Sequence, residues 1–201
     1  MSGGLHALVL AAGAGTRFGG RKLLAPFRDG VLIDAALAAA FAAPVETVTV
    51  VTGAERDAMQ AAATACAERL GQTRRLRLVH AADHAEGMAA SLRSGVAALP
   101  PDAGGVLVFL GDMPEVPDEV PPRLAEALGA GAPAAVPVFE GRRGHPAALS
   151  SSLFPELLAL AGDRGARGLL ARLGAAVVEI EAPGPGVLTD VDTPDDLARL
   201  G

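Results

Sequence analysis

The sequence predicts an α/β fold, a mostly parallel sheet with helices on both faces, and three observations predict it. Through roughly the first hundred residues, short β-branched and aliphatic runs alternate with longer stretches of helical character. A β-α-β-α-β-α order requires right-handed crossovers and a parallel sheet. Val106-Leu107-Val108-Phe109-Leu110 is apolar without alternation, as a central strand covered on both faces must be. Beyond Gly129 the pattern changes, and a proline-containing strand leads into a tight Gly141-Arg142-Arg143-Gly144 connection. That change suggests a hairpin-like excursion instead of another crossover.

The elements follow in order. Leu5–Leu10 reads as a buried strand ending in a glycine-rich loop, and Val31–Ala42 as an alanine-rich helix broken by Pro44. Thr47–Val51 is a β-branched strand, Ala54–Leu70 a helix stopped by Gly71, and Leu76–His80 a third strand. Met88–Leu99 is helical up to Pro100-Pro101, and a helix near Pro117–Leu128 follows the central strand. Ala134–Phe139, with Pro137, reads as a strand nearer an edge. His145–Leu149 follows the tight connection, then helices at Phe154–Ala161 and Ala166–Leu173 separated by a Gly162–Gly165 turn. Val177–Ile180 is the last strand, and Thr193–Leu200 a closing helix with Thr193 as N-cap and Pro194 at N1. The chain has 201 residues, enough for one domain with a full core, so residues 1–201 are expected to form a single unit.

Composition narrows the function. A net charge of −6, few aromatics and no Trp or Tyr argue against a basic, base-stacking nucleic-acid surface. No apolar run approaches a membrane span and no signal-peptide pattern opens the chain. The single cysteine, Cys66, cannot form an internal disulfide and reads as a small core residue. A cytoplasmic protein with a small-molecule partner is expected.

The loop after the first strand is the strongest chemical signal. Gly13, Gly15, Gly19 and Gly20 free the backbone to bring N–H groups close to an anion, and Arg17 and Lys22 add charge. Lys22 is the chain's only lysine among 17 basic residues, which suggests a site needing a compact point charge, unless it is simply a solvated loop residue. Two familiar glycine loops are excluded. The dinucleotide pattern fails because Phe18 stands where a glycine or alanine is needed, and because Thr52-Gly53 supplies no acid at the second strand's end. The Walker pattern fails because Leu23 follows Lys22 where a hydroxyl should stand. Asp112 ends the central strand, where a Mg²⁺ ligand would be useful, or where it would only satisfy backbone N–H groups of the following turn. His6, His80 and His84 read as ordinary strand and loop residues.

Several stretches together resemble the molybdenum cofactor cytidylyltransferases, a branch of the MobA-like nucleotidyltransferases. They are Leu10–Gly19 with Lys22, Glu86–Leu92, Gly111–Pro114, Arg143–Pro146, Gly162–Arg167 and Asp190–Leu197. The resemblance implies a three-layer Rossmann-like sandwich of the nucleotide-diphospho-sugar transferase type, with one late strand antiparallel. It also implies that Leu10, Ala11, Ala12, Gly13, Gly15 and Thr16 wrap the nucleotide, with Arg17 and Lys22 on its phosphates. Gly87, Met88 and Ser91 would approach base and ribose. Asp112 would bind Mg²⁺, with Mn²⁺ as substitute, joined by Asp192 or by Asp190; the alternative for either is capping of the last helix. Gly144, His145, Pro146, Gly165 and Arg167 would form the acceptor side, where a hairpin turn and a helix start are the plainer reading.

The implied reaction is transfer of CMP from CTP to the terminal phosphate of molybdopterin, releasing pyrophosphate. Arg17, Lys22 and Asp112 would be catalytic, and a molybdoenzyme or its maturation chaperone would receive the product. CTP is expected over GTP because relatives that transfer guanylyl groups usually carry glycine where Ala12 adds a methyl. The alternatives are GTP as donor, a sugar phosphate or methylerythritol phosphate as acceptor, a nucleotide sensor without turnover, and, more distantly, an NAD-dependent oxidoreductase.

Overall fold

In the computed structural model, residues 3–13, 15–162 and 165–200 are described. The first half contains β1 (Leu5–Ala11), a two-residue hairpin of β2 (Pro26–Phe27) and β3 (Gly30–Val31), α1 (Leu32–Ala42), β4 (Val48–Thr52), α2 (Arg56–Arg69), β5 (Leu76–His80), α3 (Met88–Ala97) and β6 (Gly105–Leu110). There follow α4 (Val120–Gly129), β7 (Ala134–Phe139), β8 (Arg142–Arg143), β9 (Ala147–Ser150), α5 (Phe154–Leu158), α6 (Arg167–Leu173), β10 (Val177–Glu181) and α7 (Pro194–Leu200).

The main sheet runs β10-β7-β9-β6-β1-β4-β5, with β8 paired to β7. β1 is parallel to β6 on one side and to β4 on the other. β9 is antiparallel to both β6 and β7, and β7 pairs β10 in parallel. The late antiparallel strand is therefore β9, inserted between two parallel blocks. The expected hairpin is present too: β8 folds back antiparallel onto the end of β7, Val138 facing Arg143. Pro137 is tolerated in β7, whose strand lies second from the edge.

Strand pleating divides the core. Successive side chains of a strand point to opposite faces, so Ala7, Val9 and Ala11 pack with α1, α2 and α4, while Leu8 and Leu10 pack with Leu92, Val96, Leu157 and Leu169 of α3, α5 and α6. The result is three layers. Phe109, Leu107 and Leu8 are essentially sealed from solvent. Truncation of such a residue, for example Phe109→Ala, is expected to cost about 3–5 kcal/mol. Cys66 lies in α2 against the first cluster, as expected for a core residue, and burial pushes its thiol pKa up to about 11.

The ends of the helices are set by local hydrogen bonds. At the start of α1 the Asp34 carboxylate accepts the Val31 N–H at 3.0 Å and a bond from Arg69 at 2.6 Å, which also ties α2 to α1. Thr193 caps α7 as the sequence predicts: Thr193 Oγ1 accepts the Asp196 N–H, and Asp196 accepts the Thr193 N–H in return.

Candidate active site

The strand order reverses direction at β1: the chain passes from β1 to β4 and β5 on one side, then places β6 on the other. Open α/β sheets form their binding crevice at such a switch, outside the strands' carboxyl ends. Here the crevice lies between the loop after β1 and the Gly111-Asp112 turn after β6.

The loop is shaped by backbone geometry. Gly15 sits in the left-handed region (φ 58°), and its carbonyl accepts N–H groups from both Phe18 and Gly20. A Cβ at this position would lie 2.9 Å from Lys22 Cβ, so a side chain would push Lys22 away. Arg21 is also left-handed, at φ 51°. A non-glycine residue held there stores strain of about 1–3 kcal/mol, a cost typical of functional loops. The turn delivers Lys22 into the crevice, with only 12% of its side chain exposed.

Lys22 is not a solvated loop residue. Its Nζ donates to Asp112 Oδ2 at 2.8 Å and to Asp192 Oδ1 at 3.5 Å, and Arg17 donates to Asp192 at 2.5 Å. Two carboxylates from well-separated parts of the chain converge on one ammonium. A backbone bond holds them together, the Val191 N–H donating to the Asp112 carbonyl at 3.0 Å. Both plainer readings give way here: among the described residues the Asp112 carboxylate bonds to Lys22, not to the turn's backbone, and the cap of α7 is made by Thr193 and Asp196, not Asp192.

Asp190 faces the larger side of the crevice. Partial burial, and next the negative charge of Asp112, hold its carboxyl above the usual range.

Two chambers meet at this cluster. The smaller, about 340 Å³, is lined by Leu10, Ala12, Gly13, Gly15, Lys22, His84, Gly87, Met88, Ser91 and Asp112. The larger, about 610 Å³, has an apolar interior that includes Leu92, Val108, Val136 and Leu149, with Arg17, Arg143, His145, Arg167, Asp190 and Asp192 among its polar groups. Leu10, Met88, Leu110 and Asp112 line both.

Most residues singled out in the sequence are brought together. Ala11 is buried at the end of β1 and Thr16 stands in an exposed turn, so neither lines a chamber. Arg17 belongs to the larger chamber, not to the smaller one that Lys22 lines. Gly144 and His145 line the larger chamber, and Pro146 follows His145 through a cis bond. Gly165 packs on Met88. Asp163 and Arg164, within the Gly162–Arg167 stretch, lie outside the described residues.

His84 was not legible as a site residue, yet it forms part of the smaller chamber's wall. The available signal was its place just before Glu86-Gly87-Met88. Arg143 opens the Arg143–Pro146 stretch, where sequence alone marks the Gly-His-Pro that follows it. It bonds Glu179 at 2.7 Å and reaches the Leu170 and Gly174 carbonyls, fixing the far wall. Burial lowers the His145 pKa and so favours its neutral form.

The model of the MobA-like NTP transferase domain matches residues 7–177. The chain belongs to this family. Among relatives, this MobA-like transferase is 33% identical over 197 residues to the purine catabolism protein PucB of Bacillus subtilis, covering 96% of this chain and 93% of that protein. It is 31% identical to the nicotine blue oxidoreductase of Paenarthrobacter nicotinovorans (96% and 94% covered) and 25% identical to the molybdenum cofactor cytidylyltransferase of Escherichia coli (96% and 93% covered). In fold it is similar to crystalline Rv0371c of Mycobacterium tuberculosis, with a TM-score of 0.83, 30% identity, and 100% and 98% of the chains covered. A manganese complex of Rv0371c aligns with a TM-score of 0.78. No described helix of this nucleotidyltransferase is long and apolar enough to cross a membrane.

Proposed function

We propose that the protein transfers CMP from CTP to the terminal phosphate of molybdopterin. The observation that carries this reading is the Lys22 ammonium held 2.8 Å from Asp112 where the two chambers meet. The smaller chamber takes the nucleotide, with backbone N–H groups of the glycine loop on its phosphates, and Ser91, Gly87 and His84 toward base and ribose. The larger chamber takes the acceptor, its apolar interior suiting a flat ring system better than a polyhydroxylated sugar.

The residues also fit a divalent cation. Among the described residues no group of three or more His, Cys, Asp or Glu forms a cage, but Asp112 and Asp192 converge on a point already occupied by positive charge. Two carboxylates with waters and substrate phosphates suit Mg²⁺ or Mn²⁺. When bound, the ion supplies Lewis-acid polarisation and a template for the phosphates. The manganese complex of the related Rv0371c supports this reading.

The chain's own residues orient and neutralise. An acceptor phosphate monoester, with a second pKa of about 6, is largely dianionic at neutrality and needs no general base. Its oxygen attacks the α-phosphorus in line, the bond to the bridging oxygen breaks, and pyrophosphate leaves with the electron pair. Lys22 neutralises charge moving onto pyrophosphate, and Arg17, on the acceptor side, helps hold the reactants in the attack geometry. The Ala12 methyl, buried beside Gly53, narrows the base side of the smaller chamber and favours cytosine over guanine.

A second reading, the same transfer to another phosphorylated acceptor or from GTP, is supported by the spread of the relatives' names at similar identity. Incubation with molybdopterin, Mg²⁺ and each triphosphate in turn decides. Cytidylylated product with stoichiometric pyrophosphate is expected from CTP; turnover with GTP alone, or only with a different acceptor, overturns the first reading.

A further inference from the structure

Arg93, further along α3 than Met88, lines neither chamber. Its guanidinium donates to Asp83 at 2.6 Å, to Glu86 at 2.9 Å and to the Leu160 carbonyl at 2.7 Å, and its side chain is 24% exposed. The two carboxylates belong to the turn that carries His84 into the smaller chamber and ends at Gly87. Glu86, which opens the Glu86–Leu92 stretch and has no role in the transfer, is explained by this pair.

The third bond reaches a different part of the chain. Leu160 precedes Gly162, whose carbonyl accepts the Ala89 N–H at 3.1 Å. Gly165 then packs so closely on Met88 that a Cβ there would lie 2.8 Å from the Met88 sulfur. Arg93 therefore joins the turn before Met88 to Leu160, two residues before the glycine that holds Ala89, and Met88 lines both chambers. A guanidinium offers five N–H donors in a fixed plane and holds three acceptors at once; an ammonium on a flexible stem holds no such fixed fan.

We propose that Arg93 is a positioning residue that locks the 83–87 turn to Leu160, next to the Gly162 contact with Ala89, so that filling one chamber sets Met88 for the other. The proposal rests on the two-substrate reading above. Binding of acceptor then strengthens binding of nucleotide, and reciprocally.

The test measures CTP KM at low and at saturating molybdopterin, with Mg²⁺, in the wild type, Arg93→Met, Arg93→Lys and, as control, Arg172→Met. Arg172 pairs with Glu156 on the exposed surface. In the wild type, saturating acceptor should lower the CTP KM by about fivefold or more, the usual lower range of coupling between sites. Arg93→Met should raise both substrates' KM while leaving kcat within about twofold and removing the dependence, the pattern of lost uniform binding. Arg93→Lys should lose the dependence as well, and Arg172→Met should keep it. Hydrogen exchange needs no substrate: in Arg93→Met the amides of 83–90 and 159–162 should lose protection together. Faster exchange confined to 83–86, or a fall in kcat at unchanged KM, overturns the proposal. A wild type that turns over no triphosphate with molybdopterin instead sinks the reading beneath it, and the exchange result still decides whether Arg93 joins the two segments.

Discussion

The two chambers share one wall yet are built differently. The smaller sets glycines and small side chains (Ala12, Gly13, Gly15, Gly87, Ser91) among Leu10, Leu23, His84, Met88 and Leu110, drawn mainly from the loop after β1 and the start of α3, with Lys22 and Asp112 as its charged groups. The larger is a room of side chains, its walls taken from α3, β6, β7, the β8–β9 connection, α6 and the segment before α7. A site made of backbone is specified by where the chain can bend, and one made of side chains by what the sheet brings together. The first kind tolerates changes of side chain and fails when a glycine gains a methyl; the second depends on distant segments staying in register.

The sharpest way to break this division is at the charged residue the two chambers share. Asp112→Ala removes a carboxylate at a strand end and opens no core cavity, so transfer should fall by about a thousandfold or more, the scale of losing a group that organises transition-state charge. Thermal unfolding should stay within a few degrees of wild type; a collapse of the melting transition would make Asp112 a structural residue instead.

Next in size is a pair of glycine substitutions that should separate the chambers. A Cβ on Gly15 meets Lys22 Cβ at 2.9 Å, and one on Gly144 meets the Val187 carbonyl oxygen at 2.2 Å, the same oxygen that accepts the His145 N–H. Gly15→Ala should raise the KM for CTP and leave that for molybdopterin nearly unchanged. Gly144→Ala should do the reverse and lower stability by about 1–3 kcal/mol, as overpacking does. Equal effects of either variant on both substrates would contradict the division.

About a five- to tenfold effect is expected from Ala12→Gly, which should shift the kcat/KM ratio of CTP to GTP toward GTP by removing one methyl, at the lower end of the about 1–3 kcal/mol such a group is worth in an apolar pocket. An unchanged ratio would take Ala12 out of the choice of base.

The smallest effect concerns pH. His145 beside the larger chamber and His6 in β1 both have pKa values lowered, chiefly by burial. Each binds fewer protons folded than unfolded, so stability is fully present above the ordinary histidine value of about 6.5 and declines as pH falls below it. Urea midpoints at pH 7.5 and 5.5 should show the decline, and His145→Gln should flatten part of it; a midpoint independent of pH would refute the assignment.

The same contrast explains what the sequence disclosed. The parallel sheet, the glycine loop and the cap of α7 were legible because each depends on residues close in the chain, such as the apolar run 106–110 or Thr193-Pro194. Asp192 could not be separated from Asp190 by local pattern, because what distinguishes them is Lys22 and Arg17, some 170 residues away. His84 looked ordinary for a similar reason, since its place in the smaller chamber's wall depends on how the 83–86 turn faces the loop after β1. The insertion of β9 between β6 and β7 left only the tight connection as a local trace, and that trace read correctly as a hairpin.

The Val191 N–H bond to the Asp112 carbonyl ties the segment before α7 to the turn after β6. Asp192 follows Val191 directly, so its carboxylate reaches Arg17 and Lys22 only while that segment is docked. Release of this one segment would strip both cations of Asp192 and leave the Lys22–Asp112 pair standing alone.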